Sequence, residues 1–186
     1  MSFNVTVSND LKRLRRGLST LEHKVTPQAT VRTLNRVAES SRTASAKHIA
    51  PQMDARQGDV KRRMKTTKAN RKQLWAVIVA SGKPLRLIAF KARQTASGVR
   101  AKAWGKTKTY KNSFIAPFKA GSKSKKGVFV RLTSKRLPIK QLWGPGVKQL
   151  FKQKENDAVM QTTVRTRFAK EFAANLRFYL NRMRKP

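Results

Sequence analysis

Leu74-Trp75-Ala76-Val77-Ile78-Val79-Ala80-Ser81-Gly82-Lys83-Pro84-Leu85-Arg86-Leu87-Ile88-Ala89-Phe90 carries the change of pattern that decides the fold. Leu74 to Ala80 is a short, uncharged, β-rich run. Ser81-Gly82-Lys83-Pro84 is a turn signal, and Leu85 to Phe90 is a second run of strand length. Downstream, Val99-Arg100-Ala101-Lys102-Ala103-Trp104 alternates apolar and basic residues with period two, the mark of a half-exposed strand. Asn112 to Phe118 and Gly127 to Leu132 form a further pair across the Gly/Ser/Lys loop Lys119 to Lys126. Residues 73–136 therefore predict an antiparallel sheet of four to five strands.

Outward from that sheet the period changes to that of helices. Asn9 to His23 places Leu11, Leu14, Leu18 and Leu21 on one stripe, with Lys12, Arg13, Arg15 and Arg16 opposite. Thr26-Pro27 reads as a helix start, and the helix is expected to run to about Ala50, where Pro51 stops it. Its buried stripe is Val31, Leu34, Val37 or Ala38, Ser41, Ala44 or Ser45, and Ile49. Asp59 can cap a short basic helix from Val60 to about Lys65. On the other side, Leu137 to Gly146 is a turn-rich connector. Beyond it Met160, Val164, Phe168, Phe172, Leu176, Tyr179 and Met183 recur at spacings of three or four. They form one face of a long helix over Asn156 to Met183. The expected fold is one α+β domain over 1–186. It comprises N-terminal helices (8–65), a central antiparallel sheet (73–136), a Pro/Gly connector (137–146) and a C-terminal helical region (147–183).

The charge is one-sided. The chain has 44 Lys and Arg against 8 Asp and Glu, a formal net charge of +36 in 186 residues. Between Val60 and Lys154 there is no acidic residue and there are 27 basic ones. A compact state with that charge repels itself, so a polyanionic partner is expected. Nucleic acid comes first, because neutralising phosphates releases counterions, and an anionic membrane surface comes second. Three Trp, nine Phe and many aliphatic residues separate the chain from a disordered polycation. The absence of Cys excludes disulfides and thiolate chemistry. No stretch reaches the roughly 18 apolar residues of a membrane span, and a cytoplasmic site of synthesis is expected.

Catalytic chemistry finds little support. His23 and His48 both fall in expected helices, without an orienting partner in the sequence. The close carboxylate pairs, Asp54 with Asp59 and Glu155 with Asp157, fall at expected helix starts, where capping explains them. No clustered carboxylates or phosphate-binding glycine fingerprint call for a metal or cofactor, and none is expected. The positive signal is three basic clusters, candidates for phosphate contact. They are Lys61, Arg62, Arg63, Lys65, Lys68, Arg71 and Lys72; Lys102, Lys106, Lys108 and Lys111; and Lys123, Lys125 and Lys126. Lys outnumbers Arg in the last two, which favours backbone contact over base readout. For any single lysine, a solvated surface charge explains the residue as well as contact does. Trp75, Phe90, Trp104 and Phe129 could stack on bases, but their strand positions favour the core. Tyr110 is the one aromatic considered for base or sugar contact.

Three segments resemble the minor tail protein Z family of lambdoid phages and prophages. They are Thr33-Leu34-Asn35-Arg36-Val37-Ala38, Val60-Lys61-Arg62-Arg63-Met64, and Arg136-Leu137-Pro138-Ile139 leading to Leu142-Trp143-Gly144-Pro145. The family pattern often has Ser after the Gly-Pro, where this chain has Gly146. The resemblance implies a non-enzymatic virion protein at the neck end of a tail, assembled in the host cytoplasm. Such a protein completes the tail and places the end of the packaged DNA for ejection. It also implies copies in a ring, of six or a multiple or divisor of six, against tail terminator, tail tube, tape-measure or head-tail connector proteins. Leu137, Pro138, Ile139, Leu142, Trp143, Gly144 and Pro145 are then a structural motif. The helix face Val164, Phe168, Phe172, Leu176, Tyr179 and Met183 is core or protein contact. The alternative from composition is an RNA-binding or ribosomal-type basic protein, against which the long apolar face of the last helix counts. A membrane partner is not expected, although the segment Ser8 to His23 has the amphipathic form of surface-seeking helices.

Overall fold

A computed structural model describes residues 25–120 and 123–184. The amphipathic segment expected over Asn9 to His23 lies outside the described residues. The α+β order is as expected, with a long helix at each end of the described chain. The helices are α1 (Thr26–Gln52), α2 (Gln57–Arg62), α3 (Lys148–Phe151) and α4 (Lys154–Arg184). Between them lie β1 (Met64–Thr67), β2 (Val77–Ala80), β3 (Pro84–Arg86), β4 (Arg93–Thr95), β5 (Gly98–Ala103) and β6 (Lys106–Lys111). Then follow β7 (Ser113–Ala120), β8 (Lys123–Arg131), β9 (Ile139–Gln141) and β10 (Trp143–Gly146).

The strands do not make one sheet. They divide into four antiparallel sheets: β1-β2, β10-β3, β4-β5-β6 and β7-β8-β9. Tight turns account for the division. Leu87–Ala89 coils into a 3-10 turn and breaks the second apolar run after Arg86. Trp104 and Gly105 both take positive φ and fold β5 back on β6, the backbone that two-residue hairpins need. Asn112, also at positive φ, is the only residue between β6 and β7. The hairpin turn keeps β5 and β6 in one sheet, whereas the 3-10 turn and Asn112 lead from one small sheet to the next around a shared core. Trp104 therefore stands in a turn instead of ending a core strand. It is exposed, as are Trp75 and Trp143, whereas Phe90 and Phe129 are buried as expected. The short basic helix comes earlier than expected, and Met64 and Lys65 open β1.

α1 has no side-chain N-cap; Val25 precedes it, with Thr26 and Pro27 in the first turn. Pro51 does not stop it. The helix ends at Asp54, which takes φ 56°, while Ala55 N–H reaches back to Ala50 O at 3.0 Å. That left-handed closure satisfies the last carbonyls. The buried face of α1 is Ala29, Thr33, Val37, Ala38, Ser41, Ser45, Ala46, Ile49 and Ala50. Its small residues admit α4 closely and in antiparallel sense. The seam is polar. Ser45 donates to Asn156 Oδ1 at 2.7 Å, Asn175 Nδ2 donates to Thr33 Oγ1 at 3.0 Å, and Arg36 pairs with Glu171 at 3.2 Å. Arg32 stands 4.4 Å over the Phe178 ring. Buried polar groups satisfied in this way fix one register, because any slip would leave them unpaired.

The apolar stripe of α4 is continuous but is not the seam. Val164, Phe168, Phe172 and Leu176 each follow a residue on the α1 side, namely Thr163, Arg167, Glu171 and Asn175. They therefore sit about 100° further round the helix. Val164, Phe168 and Met183 are exposed, while Phe172, Leu176 and Tyr179 are half-buried. Within this chain the stripe is thus not a core face.

The core lies at the other end of α1. Ile49 and Met53 meet Val60, Met64, Leu87, Phe90, Val99, Val128 and Val147, all fully buried. The connector closes it. Leu142 N–H bonds Val128 O at 2.8 Å and Leu142 O accepts from Leu87 N–H at 3.1 Å, which ties β8 to the 3-10 turn. Gly144 lies directly on the Phe90 ring, where a Cβ would collide with the ring edge. Gly144→Ala is expected to lower unfolding stability by about 1–3 kcal/mol, since a buried ring cannot yield without repacking. Gly58→Ala, with open space around its Cα, is expected to leave stability within about 1 kcal/mol or raise it. Urea unfolding followed by circular dichroism checks both.

Candidate nucleic-acid interface

The fold redistributes the basic clusters. In the first, Lys61 turns inward, donating to Thr43 Oγ1 at 2.8 Å and standing 3.9 Å from Glu39. Lys65 lies on the outer face of β1, and Lys68, Arg71 and Lys72 lie on the exposed link to β2. Lys68 lies near Arg32 and Arg36 of α1, Arg71 lies near Arg32, and Arg62 and Arg63 meet cations of the strands. In the second cluster the β5–β6 register splits the residues between two faces. Lys106 and Lys108 lie opposite Ala103 and Ala101, on the side that faces the core. Lys102 and Lys111 belong to the other side, with Arg93 and Arg100 directly opposite one another. In the third, Lys125 and Lys126 are exposed on β8, and the side chain of Lys123 is outside the described residues. Tyr110 is half-buried against the core cluster, with Lys108 Nζ 5.4 Å from its ring centre.

One cleft of about 470 Å³ joins parts of two clusters. Arg56, Arg62, Arg63, Arg86, Lys125 and Lys126 line it, over a floor of Leu85, Ile88 and Ala89. Asp59 is the one carboxylate there, and Arg62 bonds to it. Two of the arginines are held by neutral groups. Arg63 donates to Pro84 O at 2.6 Å, and Arg86 stands 5.0 Å over the Phe118 ring. Each partner fixes the guanidinium without cancelling its charge. Arg36, Arg42 and Lys102, by contrast, pair with Glu171, Glu39 and Asp54. The connector motif builds this arrangement. Trp143 and Gly146 of β10 pair with Arg86 and Pro84 of β3, so β10 sets both the carbonyl that orients Arg63 and the strand that carries Arg86.

Sequence reasoning missed Arg56, Arg86, Arg93 and Arg100. Arg86 had a signal, as the one charge inside Leu85 to Phe90. Arg93 and Arg100 become neighbours only through the β4–β5 register. The expectation of lysine-dominated contact also changes at the cleft. Four of its six cations are Arg, whose fork matches a phosphate bidentately.

A family model for prophage minor tail protein Z matches residues 11–185. The chain belongs to that family. No curated protein and no solved structure matches it. A minor tail protein is a structural component of the virion, so membership gives this chain a structural role in a phage tail. All three segments that carried the resemblance lie in the matched range. The third is the connector that orders the cleft. Among the described residues no helix is long and apolar enough to cross a membrane, and no three His, Asp or Glu are grouped to hold a metal ion.

The carboxylates have structural duties. Glu155 and Asp157 stand in the first turn of α4. Asp54 accepts from Gly105 N–H at 2.7 Å and pairs with Lys102 at 3.1 Å, tying the end of α1 to the β5–β6 turn. The Gly105 N–H, with Lys102 adding to it, outweighs burial and holds the Asp54 carboxyl below the ordinary range. A depressed pKa stabilises the fold above the unfolded-state value, and that stability is lost as pH falls through the folded-state value. Asp54→Asn is therefore expected to lower the melting temperature at pH 7. The gap to the unsubstituted protein should close as pH falls below about 4, as a thermal melt series at fixed ionic strength would show.

Proposed function

We propose that this tail protein is a neck or tail-completion component that holds the end of the packaged DNA by phosphate contact without reading sequence. In this reading copies form a ring, six or a number related to six, against terminator, tube, tape-measure or connector subunits. The basic face is directed at the DNA path, and the role is not enzymatic. The observation that carries the reading is the cleft: two of its four arginines are positioned by a carbonyl and an aromatic ring, and most of its positive charge is left uncompensated. Such a site is preorganised for an oxyanion and does not neutralise itself. Membership of a tail protein family weighs against the ribosomal-type alternative.

The test is binding of the full chain to duplexes of unrelated sequence by fluorescence anisotropy across a salt series. Affinity should be equal across sequences, and log affinity should fall linearly with log salt. Arg63→Gln with Lys125→Gln should weaken binding to every duplex and make the slope shallower by about two. Arg36→Gln, whose guanidinium is paired with Glu171, should leave the slope unchanged. A flat salt dependence, or a slope untouched by the cleft variant, would overturn the reading.

A further inference from the structure

The most apolar segment of the chain is on the surface. Trp75, Val77 and Val79 are 49%, 41% and 54% exposed and share the outer face of the β1–β2 ribbon, with Leu74 beside them. Ile78 and Ala80 take the inner face. Across the ladder Val79 opposes Lys65 and Val77 opposes Thr67. Ser81 N–H bonds Arg63 O at 2.7 Å, so by alternation the ladder bonds fall on the pairs Lys65–Val79 and Thr67–Val77. The N–H and C=O of Ile78 therefore point away from β1, towards the open edge of a sheet of only two strands. Lys65 lies on the same outer face as Val79, Lys72 is exposed in the link that leads to β2, and neither side chain has a bonding partner among the described residues. An apolar strand with an open edge is a template for another strand.

We propose that this ribbon takes up an extended strand of a different, acidic protein of the tail, added antiparallel or parallel at the β2 edge. Apolar side chains of the added strand would lie over Trp75, Val77 and Val79, and its flanking carboxylates would meet Lys65 and Lys72. Charge selects this occupant. A second copy of the ribbon would set the same cations against themselves, and the chain has no acidic residue between Val60 and Lys154 to relieve them. DNA is a poor occupant, because aliphatic Val77 and Val79 offer no stacking surface and open backbone groups complement a peptide. The proposal rests on the tail role that family membership gives, and not on the DNA reading.

The experiment places a photo-crosslinking p-benzoylphenylalanine at Val79 in the full chain, assembled into tails by the phage that encodes it. Irradiated tails are analysed by mass spectrometry. The expected product is a crosslink to one segment of another tail protein with Asp or Glu on its flanks. A double variant, Val77→Lys with Val79→Lys, is expected to keep its circular dichroism spectrum and melting temperature. Its incorporation into tails should fall by about tenfold or more, as for loss of a central apolar contact. A crosslink to a second copy, to DNA or to lipid, no crosslink, or normal incorporation of the lysine variant would overturn the proposal. Absence of the unsubstituted chain from purified tails would overturn the tail role itself, and the proposal with it.

Discussion

Scarcity of carboxylates shapes this structure. With 8 acidic side chains against 44 basic ones, the fold cannot neutralise its charge internally. Among the described residues, three of its five ion pairs are at joints, and the other two, Arg42 with Glu39 and Arg62 with Asp59, lie within one helix. Glu171 joins α4 to α1 through Arg36, Glu39 joins α1 to α2 through Lys61, and Asp54 joins the end of α1 to the β5–β6 turn through Lys102. Elsewhere the cations are left to solvent, to rings or to carbonyls. That leaves the molecule with a pinned frame and a large uncompensated field, which calls for an anionic partner.

The two long helices do not meet along an apolar seam. Thr33, Ser41, Ser45, Asn156 and Asn175 are buried there instead. Ser45 with Asn156 and Thr33 with Asn175 form direct bonds that define the register. The apolar stripe of α4 is then left beside the seam, and the ribbon face of β2 is left outside the core. Both are surfaces that an assembled particle can cover. The core is concentrated where α1 ends, around Phe90. The connector residues Leu142 and Gly144 lock it there, and their neighbours Trp143 and Gly146 pair with the strand that carries Arg86 and orients Arg63.

The sequence made the helical ends legible because their period is long and regular, and α1 and α4 lie within two residues of their expected bounds. The β5 strand and the β7–β8 pair were legible from alternation, but most of the expected loop Lys119 to Lys126 is strand, since the pairs Lys119 with Ser124 and Ala120 with Lys123 continue the ladder. The division into four sheets was not, because it depends on the 3-10 turn at Leu87–Ala89 and on left-handed Asn112, residues that ordinarily read as strand or loop. Trp75 and Val79 looked like core since hydrophobicity alone does not say whether a strand has a second layer to cover it. For the candidate site, the acid-free run pointed to a concentration of cations but not to their grouping. Period-two faces separated Lys106 from Lys111, and Lys61 turned inward to Glu39. Arg86, a lone charge in an apolar run, joined residues more than twenty positions away on either side.

The central claim is that the uncompensated arginines of the cleft face DNA while the apolar ribbon faces protein. An electron cryomicroscopy map of the intact, DNA-filled tail, resolved well enough to trace this chain, tests it most directly. The expected map shows Arg63, Arg86 and Lys125 turned towards the DNA density, with Trp75 and Val79 covered by another subunit. A map in which the cleft is turned away from the channel and filled by a neighbour's carboxylates would contradict it.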